Sequence, residues 1–189
     1  LGYDVRTPGE LMLVIDFGGG ALDAAVLRLP LADEGQGVVL EGGQRVASGG
    51  NGLGRAASGG EVEARVIAKA GRVLGGDDVD HWLLDELLRR NGASRAEIGD
   101  AYSRLKLACE AAKVRLSERE SAEVSVFDPD TYRTYHATFT RSQLEDLLDR
   151  NQFYSALQQT INQVLRGARA RGIFPEDIGA VLLIGGTSQ

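Results

Sequence analysis

Leu11-Met12-Leu13-Val14-Ile15-Asp16-Phe17-Gly18-Gly19-Gly20-Ala21-Leu22-Asp23 is the stretch whose reading decides the fold. The apolar run from Leu11 to Ile15 reads as a buried strand, and the three glycines close it in a tight turn. A second apolar run, Ala24 to Leu29, follows at once and predicts an antiparallel hairpin. Far downstream, Ala180-Val181-Leu182-Leu183-Ile184 reads as another buried strand, entering Gly185-Gly186-Thr187-Ser188. The first strands need this last one to complete their sheet, which predicts a mixed α/β fold. Residues 75–150 then form an insertion between the two halves of the sheet.

Residues 31–60 hold ten of the 25 glycines. Val38-Val39-Leu40 and Val46, either side of Glu41-Gly42-Gly43, predict a small hairpin, and Ser48 to Gly60 a flexible loop. Val62, Ala64, Val66 and Ala68 alternate as in a half-buried strand. Gly75-Gly76-Asp77-Asp78 opens a helix with Val79, Leu83 and Leu87 on one face, stopping near Asn91-Gly92. Ser94 with Glu97 predicts a capping box for the next helix. Its apolar face is Ile98, Ala101, Leu105, Ala108, Ala112 and Leu116. Ala122 to Phe127 and Tyr132 to Phe139 flank Asp128-Pro129-Asp130 as a hairpin. Thr140, with Gln143, caps a short helix bearing Leu144, Leu147 and Leu148. A long helix follows, with Phe153, Leu157, Ile161, Val164, Leu165 and Ala168 inward.

Composition narrows the function classes. A hydrophobic fraction of 43% and a charged fraction of 25% are those of a globular protein. No apolar run approaches the ~20 residues of a membrane-spanning helix. A net charge of -6 argues against nucleic acid or anionic lipid as a partner. Cys109 is the only cysteine, which excludes an internal disulfide and makes a small buried thiol the expected reading. With only His81 and His136 besides, a Cys/His zinc site is excluded too. The only methionine is Met12, and the chain opens on Leu1 without a charged-then-apolar leader. The expectation is a cytoplasmic protein of which this is an excised part.

Glycine turns beside strands point to phosphate, because backbone N–H groups approach an anion most closely where no Cβ intervenes. None of Lys69, Lys106 and Lys113 follows a glycine, so no P-loop is present. The dinucleotide fingerprint fails because Asp23 stands at its third glycine and a strand follows. What remains is Asp16 at a strand end, able to hold magnesium through water, beside amides that face phosphate oxygens. Glu110, Lys113 and Ser117, at i, i+3 and i+7, line one helix face opposite the apolar stripe.

Taken together and in this order, the motifs resemble the nucleotide-binding domain of the seventy-kilodalton heat-shock chaperones, in the actin-like ATPase superfamily. Asp16 to Asp23 resembles that family's second phosphate motif, and Leu74-Gly75-Gly76-Asp77-Asp78-Val79-Asp80 its entry to the upper subdomain. Cys109-Glu110-Ala111-Ala112-Lys113 through Leu116-Ser117 resembles its adenosine-contacting helix, and Leu182 to Ser188 its adenosine loop. The resemblance implies the second lobe of a ribonuclease H-like, two-lobed ATPase. Residues 1–74 and 151–189 would be the lower subdomain, with 31–60 as a flexible insertion, and 75–150 the upper. ATP or ADP with Mg²⁺ would lie against a first lobe of the same parent protein, and the chain alone would be nearly inactive.

By position, the resemblance makes Asp16 the residue that positions magnesium and its waters, and puts Asp23 near a monovalent cation such as K⁺. Gly18, Gly19, Gly20 and Ala21 would face phosphates, and Gly76 would approach from the other side. Glu110, Lys113 and Ser117 would bind ribose and adenine, with Gly185 and Gly186 beneath the nucleoside. Implied partners are a substrate-binding domain of the same protein, a nucleotide exchange factor and a J-domain co-chaperone. In the family, the strand pair that residues 31–60 interrupt lies near the surface used by J-domain proteins.

Three positions depart from the family pattern. Ala21 stands where threonine is usual, and Val114 and Gln189 where two arginines sandwich adenine. These changes predict weaker adenine recognition. They also keep open a non-hydrolysing nucleotide-sensing or partner-binding relative, beside a filament-forming actin-like ATPase or a sugar kinase.

Overall fold

The computed structural model describes residues 9–29, 38–39, 45–46 and 62–186. In chain order, β1 (Leu11–Phe17) and β2 (Leu22–Arg28) precede three short strands, β3 (Val38–Val39), β4 (Arg45–Val46) and β5 (Val62–Glu63), then β6 (Arg65–Arg72). Helices α1 (Gly76–Arg90) and α2 (Tyr102–Glu118) come next, followed by β7 (Ser121–Asp128) and β8 (Arg133–Thr140). The helices α3 (Arg141–Arg150) and α4 (Phe153–Arg169) lead to β9 (Ile178–Ile184). The described residues fall into two compact units. One lies within Leu1–Asp16, Asp23–Gly71 and Thr160–Ile184, the other within Phe17–Leu22, Arg72–Gln159 and Gly185–Gln189.

In the first unit a mixed sheet runs in the order β6-β2-β1-β9. Only residues 18–21 join β1 to β2. That is too short for a crossover, so the pair is the expected hairpin. Every residue from Leu11 to Ile15 is buried, as an unbroken apolar run requires of a strand covered on both faces. β9 lies parallel to β1, Met12 opposite Ala180 and Asp16 opposite Ile184.

Two expectations about burial need correcting here. β9 is half-exposed: Ala180, Leu182 and Ile184 pack towards Met12, Val14, Leu27 and Leu29, whereas Val181 and Leu183 are each 55% exposed. Both faces of this strand are apolar, so periodicity could not tell the packed face from the open one. The alternation from Val62 to Ala68 spans two strands in different sheets, β5 and β6. Among the side chains described in this run, Val66 is exposed and Ile67 and Ala68 are buried.

The small hairpin is present: Val38 pairs with Val46 and Val39 with Arg45, antiparallel. β5 joins it in parallel, Val38 opposite Val62. The reading of Ser48 to Gly60 as flexible loop lies outside the described residues.

In the second unit, α1 starts where an extended Gly75 gives way to Asp77 and Asp78, whose charges suit the positive end of a helix. The Asp78 carboxylate accepts a 2.8 Å bond from the Gly75 N–H. Val79, Leu83 and Leu87 are buried as expected, and Leu84 and Leu88 widen the face. Gly92, at φ 60, follows its end.

Ser94 does not cap α2. Its N–H and Oγ both donate to the Glu97 carboxylate at 2.7 Å, but they close a separate turn. A 3₁₀ turn, Gly99–Ala101, intervenes before the helix starts at Tyr102. Gly99 at φ 42 is a left-handed residue that no helix interior accepts. Leu105, Cys109, Ala112 and Leu116 still form the buried stripe. Burial pushes the Cys109 thiol up to about 12, the behaviour of an inert core cysteine.

β7 and β8 pair from Ser121–Thr140 to Asp128–Arg133 and turn Ala122, Val124, Tyr135, Ala137 and Phe139 towards the helices. Thr140 and Gln143 form the expected capping box of α3.

Glu86 escaped the pattern reading, because it is a carboxylate on the buried side of α1. Arg89 and Arg90 clasp it at 2.6 and 2.8 Å. The hydrogen bonds from Arg89, and the one from Arg90, hold its carboxyl down at about 2 against desolvation. A depressed carboxyl stabilises the fold above its unfolded value of 4.5 and loses that contribution as pH falls towards about 2. Glu86→Gln should cost about 1–3 kcal/mol at neutral pH. Urea unfolding of the variant should then be flatter than wild type between those two pH values; parallel pH profiles would contradict this.

Candidate nucleotide-facing site

The glycine turn is anchored to the start of α1. Gly18 N–H donates to Ala21 O at 3.0 Å and closes the turn. Two N–H groups of α1, which a helix start leaves without internal partners, donate back to it. Gly76 N–H reaches Gly18 O at 3.0 Å, and Asp77 N–H reaches Gly19 O at 2.7 Å. Gly75 makes this approach possible, since a Cβ there would overlap the backbone of Gly19 and Gly20. The Gly76 amide is thus occupied by the turn.

Gly19 and Gly20 are different. A Cβ on either would meet no described atom within 4 Å, and neither has a left-handed φ. Their amides have no hydrogen-bond partner among the described residues. Nothing within these residues requires glycine at these two positions.

On α2 the predicted trio divides by role. Lys113 is the donor. Its Nζ gives a 3.1 Å bond to Gly76 O and forms a 2.7 Å ion pair with Asp80. Ser117 Oγ donates to Val114 O at 2.7 Å, which leaves the hydroxyl its acceptor lone pairs. Glu110 is an exposed acceptor. Burial raises the Asp80 carboxyl against the opposing pull of Lys113. A neighbouring pair, Lys106 with Asp77 at 3.1 Å, lies at the surface.

The structure thereby links Gly18, Gly19, Gly76 and Lys113 through one set of contacts within the second unit, with Glu110 and Ser117 on the same helix. Ala21 and Gly20 complete the turn. Gly185, at φ 95, and the exposed Gly186 also belong to this unit. Asp16, half-buried near the end of β1, and Asp23, exposed in β2, belong to the first. Val114 is 60% exposed, and Gln189 lies outside the described residues. No group of three or more potential metal ligands occurs among the described residues. Nor is any described helix long and apolar enough to cross a membrane. Sequence reasoning missed the pairing of Asp80; its one signal is a carboxylate between the buried Val79 and Leu83.

A mixed sheet with helices, completed by its last strand and interrupted by an α+β unit, is the plan of an actin-like ATPase lobe. Residues 57–189 match the family model described as Hsp70 protein, and the chain belongs to the Hsp70 family. It is a segment of that family's nucleotide-binding domain. "Chaperone protein DnaK" of Thermosipho africanus is 29% identical over 200 residues, covering 100% of this chain. The protein of the same name from Thermotoga maritima is 28% identical over 198 residues, again covering 100% of this chain. The chain spans 27% of the length of each of these relatives.

Proposed function

We propose that this chain forms one wall of the ATP/ADP site of an Hsp70-type chaperone. The observation that carries the reading is the turn at Gly19 and Gly20. Among the described residues, their amides have no partner and nothing fills the space where a β-carbon would stand, and phosphate oxygens need both. Glu110 as acceptor and Lys113 as donor suit the hydroxyls of a ribose, and Ser117 can accept from an exocyclic amine. Gly185 and Gly186 leave the nucleoside a surface without side chains.

A lone carboxylate suits Mg²⁺, which keeps most of its waters and takes its other ligands from phosphates. Asp16 would hold such waters, and Asp23 a monovalent cation near the same cluster. Bound there, the metal would neutralise charge on the phosphates. The chain's own contribution is positioning: amides on phosphate, α2 on the nucleoside. Hydrolysis by water belongs to the whole protein, with the first lobe, the substrate-binding domain, an exchange factor and a J-domain co-chaperone as its partners.

Ala21 and the exposed Val114 favour a second reading, a relative that senses nucleotide with relaxed base choice and little turnover. Ala21 offers phosphate no hydroxyl. Val114 gives an apolar wall without the cation–π attraction of arginine, which is worth about 0.5–2 kcal/mol. Calorimetry of the full natural polypeptide with Mg-ATP and Mg-GTP tests both readings. ATP and GTP should bind within roughly tenfold of each other, and Val114→Arg should tighten ATP by roughly 2- to 30-fold. Strong ATP preference in the wild type, unchanged by Val114→Arg, would refute the relaxed site. Absence of any nucleotide binding would refute the main proposal.

A further inference from the structure

We propose that Asp80 is a positioning residue for this site, holding the Lys113 ammonium where it can serve a nucleoside. The inference rests on the nucleotide reading above and deepens it. Gly76 and Asp80 are four residues apart on α1, so the Gly76 carbonyl and the Asp80 carboxylate stack on one side of the helix. Lys113 of α2 reaches both, at 3.1 Å and 2.7 Å. A lysine stem is flexible and its ammonium carries three donors. The two contacts fix the nitrogen and leave donor capacity for a ligand.

The surroundings are those of a built position. The Asp80 side chain is 3% exposed and that of Lys113 16%. Solvent therefore screens this pair less than it screens Lys106 with Asp77, whose side chains are 27% and 63% exposed. Both pairs join the same two helices. Both lead on to the glycine turn, through Gly76 to Gly18 and through Asp77 to Gly19, but only the buried one includes a residue of the predicted trio. An ion pair needed only to hold α1 against α2 could sit at the surface, as the other does.

The test uses the full natural polypeptide and two probes, Mg-ATP and inorganic tripolyphosphate. Asp80→Asn should weaken ATP roughly tenfold, the scale of one charge-assisted contact, and leave tripolyphosphate within about twofold. In a Lys113→Met background, Asp80→Asn should weaken ATP no further. Asp80→Glu keeps the charge but displaces the ammonium, so it should also weaken ATP; this variant covers the case in which Asp80→Asn does not fold. Lys106→Gln should bind ATP as wild type does, and thermal melts without nucleotide report on folding separately. Equal losses for ATP and tripolyphosphate, additive losses in the double variant, or wild-type ATP binding by both Asp80 variants would each overturn the proposal. If Lys113→Met weakens ATP and the folded Asp80 variants do not, only this inference fails. If the wild type binds neither probe, the underlying reading fails with it.

Discussion

Gly75→Ala should separate the glycine turn from α1 and abolish measurable nucleotide binding. The new methyl group would overlap the carbonyl of Gly19 and the nitrogen of Gly20, which are main-chain atoms that cannot swing aside. Relief requires the start of α1 to move, breaking the bonds from Gly76 to Gly18 and from Asp77 to Gly19. Overpacking of this kind costs about 1–3 kcal/mol, and each lost backbone bond adds about 0.5–1.5 kcal/mol. The total, about 2–6 kcal/mol, should appear as a lower melting temperature together with at least a hundredfold loss of ATP affinity. Gly19→Ala is the contrast. Its Cβ meets no described atom within 4 Å, so the fold should be unchanged while phosphate affinity falls. A Gly75→Ala protein with wild-type melting and wild-type affinity would show that the turn and helix tolerate separation.

Phe139→Ala should be the most destabilising change in the second unit. The ring is fully buried among Leu83, Leu87, Leu105 and Val124, and the Arg90 guanidinium lies 4.7 Å from its centroid. Removing a buried phenyl group costs about 3–5 kcal/mol, because the cavity only partly collapses. Loss of the cation–π contact adds about 0.5–1 kcal/mol. Chemical denaturation should show the midpoint shifted accordingly, and a loss below about 1 kcal/mol would mean that the core repacks around the gap.

The features legible in the sequence were those that local chemistry dictates. The hairpin at residues 18–21, the glycine entry to α1, the β7–β8 hairpin and the Thr140–Gln143 box each follow from a few adjacent residues. What escaped depended on distant partners. Ser94 and Glu97 have the composition of a helix cap and do bond to each other, but Gly99 delays the helix. Val181 and Leu183 are as apolar as their neighbours, and only position in the sheet decides which face stays open. Asp80 and Lys113 meet from different helices. Among the candidate site residues, the sequence named the glycines without separating their duties: Gly75 serves a close approach within the fold, and Gly19 and Gly20 do not.

The bonds between α1 and the turn also set a direction of charge. A trans peptide points its C=O and its N–H in opposite directions, and no described peptide is cis. The carbonyl of Gly18 shares its peptide with the amide of Gly19, and that of Gly19 shares its peptide with the amide of Gly20. When Gly76 and Asp77 donate to these carbonyls, both peptide units line up as a further layer of the α1 dipole, and each bond polarises the amide beyond it. The 15 residues of α1 therefore deliver their positive end through two glycine peptides to amides that have no acceptor among the described residues. An anion there would feel the helix without touching it, and its affinity would depend on the length and integrity of α1 as well as on the turn.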